Sequence, residues 1–169
     1  MDAKDGAGHL RVNERTVEAR HLRSPRGRFA ADVKPMSAAF KVPGRTLRGE
    51  EMAGGRPFEV DLVTLPGGAR RSPLHVHAAQ WEYYIFVAGR GEMVQAGEAF
   101  SVSAGDHVLE PPGYVHTVVN TGDGPLVFYT VADNPPVDVV HQVDSDKWLV
   151  LPGTRAFRAE ETSFYDGEE

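Results

Sequence analysis

The sequence contains no cysteine. That excludes disulfides, cysteine-ligated zinc, thiolate-held iron–sulfur clusters and a cysteine nucleophile, so any metal must be held by His, Asp or Glu. A cationic excess is also missing: 18 Lys and Arg stand against 24 Asp and Glu, a formal net charge of −6. Nucleic acids and anionic membranes favour basic surfaces, so neither is an expected partner, although 11–28 is locally rich in arginine. No apolar run approaches the length of a membrane span. Asp2, Lys4 and Asp5 open the chain with no apolar stretch behind them, which argues against a secretory leader and makes a cytoplasmic chain the expectation. Neither a glycine-rich nucleotide loop nor an activated-serine motif is present, and no repeat of solenoid or propeller period appears.

What is present is a chain of 169 residues with 41% hydrophobic and 25% charged residues, enough for one domain with a real core. Residues 1–28 are polar and read as an N-terminal arm, with 12–22 only weakly helical in pattern. Residues 29–151 read as a single domain and 152–169 as an acidic, solvated tail. Segment 29–42 reads as an edge strand or as a segment that adds to the sheet of a partner subunit. From residue 56 onward, short β-rich runs alternate with Gly, Pro, Asn and Asp. Strands are predicted at 58–65, 82–88, 92–95, 99–103, 106–110, 116–120, 126–132 and, more weakly, 137–143. Many short strands with turn signals between them, and no long helix, predict an all-β antiparallel sandwich or barrel.

The chemistry gathers around His75-Val76-His77. Residues two apart on a strand share a face, so both imidazoles point to one interior while Val76 faces away. Glu82 opens the next strand and can supply a carboxylate to the same point. Two neutral imidazoles and a carboxylate form the facial set of non-haem iron and of related Mn, Ni, Co and Zn sites. His116 opens a later strand, after Pro111-Pro112-Gly113.

Two blocks emerge. The first runs Gly68, six residues, His75-x-His77, four residues, Glu82, six residues, Gly89. The second runs Gly105, five residues, Pro111-x-Gly113, two residues, His116, three residues, Asn120. Together they resemble the paired motifs of the cupin superfamily, in particular its small single-domain bacterial members. The first block departs by one extra residue between Gly68 and His75, which loosens a turn but moves no ligand. The resemblance implies a double-stranded β-helix (jelly-roll) barrel, usually assembled as a homodimer. It also implies that His75, His77, Glu82 and His116 are ligands to one divalent transition metal (Fe, Mn, Ni, Co, Cu or Zn).

Tyr84 and Phe86 share strand parity with Glu82 and could line a substrate pocket or fill the core; Tyr83 should face away. Gln80, in the loop before Glu82, could reach a substrate or bond to backbone. Asp106 reads as a turn residue, and His107, His9, His21 and His141 lack ligand spacing. Arg70 and Arg71 border the metal strand and could meet an acidic substrate. Three functions stay open: a dioxygenase-type oxidoreductase acting on a small organic substrate, which the aromatic strand favours; a redox-neutral isomerase, cyclase or lyase; and a non-catalytic module that holds a small ligand.

Overall fold

The computed structural model describes residues 10–40, 57–153 and 155–168. Thirteen strands follow in order: β1 (Arg20–Arg23), β2 (Ala30–Pro35), β3 (Phe58–Leu65), β4 (His75–His77), β5 (Glu82–Ala88), β6 (Arg90–Gln95), β7 (Glu98–Ser103), β8 (His107–Glu110), β9 (His116–Val119), β10 (Leu126–Asp133), β11 (Asp138–Gln142), β12 (Lys147–Leu151) and β13 (Ala156–Phe157). They form two antiparallel sheets, ordered β1-β2-β3-β10-β5-β8 and β13-β12-β11-β4-β9-β6-β7. The sheets pack face to face, and among the described residues no ring of hydrogen bonds joins them into one closed barrel.

The strands form where alternation lets them bury one side. Along β5, Tyr84 and Phe86 are buried while Tyr83 and Val87 are exposed. Phe86 packs on Phe128 of β10 with ring centroids 5.3 Å apart. Met93, Val102 and Val118 close the core from the other sheet.

Turn chemistry sets the registers. Gln95 faces Glu98 across a two-residue turn in which Ala96 and Gly97 both have positive φ, the turn whose twist suits a hairpin. Gly89 lets β5 pass into β6: a Cβ there would lie 2.2 Å from the Pro125 carbonyl oxygen, at a φ of +80°. Asn120, fully buried, donates to the Leu65 and Gly124 carbonyls (both 2.8 Å) and accepts from Gly122 N–H at 2.9 Å. The last residue of the second block is therefore a clamp on turns. Asp106 accepts from the Ser103 N–H at 2.7 Å, the turn role expected of it.

The weak helical pattern over 12–22 forms no α-helix: the N-terminal segment has a 3₁₀ turn, Glu14–Thr16, capped by the Asn13 side chain, and then β1. The β1 residues are all exposed, so pairing with β2 decides the strand, and no apolar periodicity announces it. Within 29–42, β2 is not an edge strand: it lies inside the chain's own sheet, between β1 and β3, where its backbone groups are already paired. Positions 41–42 of that segment, and His9, lie outside the described residues. No described helix is long and apolar enough to cross a membrane.

Candidate metal centre

Both sheets contribute to one cluster. β4 and β9 of the seven-stranded sheet bring His75 and His116 side by side, and β5 of the facing sheet supplies Glu82. One donor atom from each of His75, His77, Glu82 and His116 lies within 4.8 Å of all the others. His116 Nε2 is 2.7 Å and His77 Nε2 is 3.8 Å from the same oxygen, Glu82 Oε2. His77 and His116 are buried, whereas His75 and Glu82 are half-buried, so the cluster opens on their side.

Each imidazole is held from behind at Nδ1. His77 Nδ1 lies 2.6 Å from Asp138 Oδ2, His75 Nδ1 lies 2.9 Å from the Pro73 carbonyl, and His116 Nδ1 lies 3.1 Å from the Tyr114 carbonyl. All three acceptors require a proton on Nδ1, so the lone pair of each neutral ring belongs to Nε2. Carboxylate or carbonyl partners of this kind orient the histidines of metal sites and raise their basicity. Asp138 is 2% exposed, and its other oxygen accepts from the Ala79 N–H at 2.7 Å.

The electrostatics fit a cation. Burial, helped by the neighbouring charge on His116, takes His75 down to about 4, so it is neutral near pH 7. Burial alone would raise Glu82, but the hydrogen bond and charge of His116 outweigh it and hold the carboxyl at about 2. Burial would lower His116, yet Glu82 keeps it raised, a proton filling the position between them. The Tyr84 hydroxyl donates to Glu82 Oε2 at 2.9 Å, and burial raises it well above its ordinary value. The donor set, its tautomers and its charge thus suit a divalent ion with nitrogen and oxygen preference.

The other anticipated residues scatter. Phe86 belongs to the core, as does the ring of Tyr84. The Gln80 amide donates to the Asp133 carbonyl at 2.7 Å, tying its loop to the end of β10. Tyr83 faces out and bonds His107, while His141 stacks on Trp148. The bridge between Arg70 and Val119 sets Arg71 level with Val118, on the inner face, half-buried and without an ion pair among the described residues. Its charge reaches the Tyr84 hydroxyl.

Two residues beside the cluster escaped the sequence reading. Asp138 approaches His77 from 61 positions away, and only its parity within a weak strand could have hinted at it. Glu110 pairs in register with Glu82, is 1% exposed, and neither of its oxygens makes a well-formed hydrogen bond among the described residues; His116 Nδ1 is 3.8 Å away. Burial pushes it up to about 7, against the pull of His116.

The profile of the family described as "Cupin domain" matches residues 61–132, which hold both motif blocks and all four donors. The structure of a cupin-superfamily sugar phosphate isomerase from Silicibacter pomeroyi superposes with a TM-score of 0.70, covering 88% of this chain and 92% of that one at 23% identity. The chain belongs to the cupin superfamily. A predicted oxalate decarboxylase from Thermotoga maritima shares this cupin fold at a TM-score of 0.60 and 22% identity, over 75% of this chain and 100% of that one. Oxalate decarboxylase OxdC of Bacillus subtilis is 36% identical over 100 residues, which is 55% of this cupin and 25% of the relative. Mannose-1-phosphate guanylyltransferase of Escherichia coli is 28% identical over 126 residues, 75% of this chain and 23% of the relative. The chain therefore spans about a quarter of the length of those two relatives.

Proposed function

We propose that this cupin is a metalloenzyme that holds one divalent transition metal with His75, His77, Glu82 and His116 and acts on a small organic acid. The observation that carries the reading is the proton arrangement: three Nδ1 atoms are engaged by acceptors, and the side chains converge with a carboxylate on one point. A bound divalent ion supplies Lewis acidity, polarising a carbonyl or lowering the pKa of bound water.

The chain's own residues do the rest. Tyr84 fixes the rotamer of Glu82, Asp138 fixes that of His77, and Phe86 with Phe128 keeps water from the inner wall. Arg71, inward and unpaired, is the anchor for a carboxylate that reaches the centre. The likeness to oxalate decarboxylase favours a redox-neutral cleavage or isomerisation of such an acid over dioxygenase-type oxidation. Assembly as a cytoplasmic homodimer belongs to the same proposal; exposed Tyr83, Val87 and Leu109 on the outer face of the six-stranded sheet support a second copy.

The test is metal content of the untagged protein by mass spectrometry, beside His77→Ala and His116→Ala. One metal per chain, lost in both variants, is the expected result. Oxygen uptake with turnover of a carboxylate panel then separates oxidation from redox-neutral chemistry. A wild type that takes up no divalent ion on reconstitution would overturn the reading.

A further inference from the structure

Two members of the cluster, His75 and His116, lie on one rung of the seven-stranded sheet. Gln142 of β11 faces His75 of β4, His75 faces His116 of β9, and on the other side of β11 Gln142 faces Lys147 of β12. Directly opposed residues share a face, so this row of side chains looks toward the interior. The neighbouring pair agrees: His141 and Trp148 stack ring on ring at 4.0 Å on the opposite face. One end of the Gln142 amide, Oε1, is buried with no hydrogen-bond partner among the described residues. Flipping the amide would only exchange an orphan acceptor for an orphan donor. A buried polar group left unpaired is destabilising, so it calls for an explanation. Lys147 is half-buried and has no carboxylate partner among the described residues.

From these placements we infer a distal subsite in which Gln142 and Lys147 hold a hydroxyl and a second anionic group of a substrate whose other end sits at the metal centre. The inference rests on the metal-centre reading and goes on to define the substrate. Adjacent strands lie about 4.8 Å apart, which puts the Gln142 and Lys147 positions about 5 and about 10 Å from that of His75. A backbone of about four carbons in all, running from the chelating end to the far anion, suits that spacing once the side chains reach inward. The orphan amide calls for a group that can both donate and accept, as a hydroxyl does, and the ammonium takes a carboxylate or a phosphate.

The experiment is calorimetric titration of the 169-residue, Mn(II)-loaded chain with glycolate, L-tartrate and 4-phospho-D-erythronate. Glycolate has the chelating hydroxy acid alone; the other two add a second hydroxyl and, beyond it, a carboxylate or a phosphate. The wild type should bind at least one two-anion probe about tenfold more tightly than glycolate, and which one names the anion. Gln142→Leu and Lys147→Gln should each lose that preference while keeping full metal content, a melting temperature no lower than the wild type's and the glycolate affinity. Gln142→Glu, nearly the same size, should repel two-anion probes more than Gln142→Leu does. A metal-loaded wild type without preference, or variants that retain it, would overturn the subsite. Failure to load Mn(II) at all would instead remove the metal centre on which it depends.

Discussion

Asp138 uses both carboxylate oxygens, one for His77 Nδ1–H and one for Ala79 N–H. An asparagine has a single acceptor oxygen. Asp138→Asn must either turn its NH₂ toward His77, moving the ring proton to Nε2 where the metal binds, or set it against the Ala79 N–H. Metal affinity should fall by about 10- to 100-fold, the usual scale for such supporting partners. Titration of Zn(II) against a chelating dye measures this, and nitrogen NMR of the metal-free protein reads the His77 tautomer. An unchanged affinity would mean that β4 alone holds the ring. Sequence reading singled out the four clustered side chains because strand parity sets His75 and His77 on one face and the motif blocks add Glu82 and His116. It missed Asp138, Glu110 and Gln142 because their significance comes from neighbours on other strands.

At the scale of elements, the turns do as much as the strands. Asn120 joins the end of β3, the start of β9's exit turn and the approach to β10 through three hydrogen bonds. Asn120→Ala removes the side-chain donor shared by the Leu65 and Gly124 carbonyls and the acceptor of the Gly122 N–H. The variant should be less stable by about 3 kcal/mol, read as a lower urea midpoint at unchanged slope. Strands β3 and β5 were legible to the residue: alternation marks both, Pro57 and Pro66 bound β3, and Gly89 ends β5. β1 was not legible: an exposed edge strand carries no burial pattern, and only β2 beside it makes it a strand.

In the whole molecule, the candidate centre bridges the sheets, with Glu82 on one and three histidines on the other. Metal should therefore stabilise the entire fold, by about 2.7 kcal/mol at a free concentration 100 times the dissociation constant. The pH dependence has a definite sign. Without metal, the Glu82 contribution is present above its ordinary value and is lost as pH falls toward about 2. The His116 contribution is present below its ordinary value and is lost as pH rises through its raised one. Metal replaces the proton on His116, so the rise in melting temperature on adding Zn(II) should grow as pH goes from 6 to 8. Scanning calorimetry with and without chelator checks this; a metal effect that shrinks over the same range would contradict the assigned proton.

By itself the sequence determined the all-β class and most strand positions, through local rules: period-two alternation and turn residues. Its two motif blocks pointed to the cupin superfamily by resemblance, and with it to the four side chains that the fold brings together. The tertiary structure alone decided that two sheets meet without a common ring of hydrogen bonds, that Asp138 stands behind His77, and that Gln142 and Lys147 share a rung with His75. Strand order and register bring together residues that are far apart along the chain, and no local pattern encodes which strand will lie beside which.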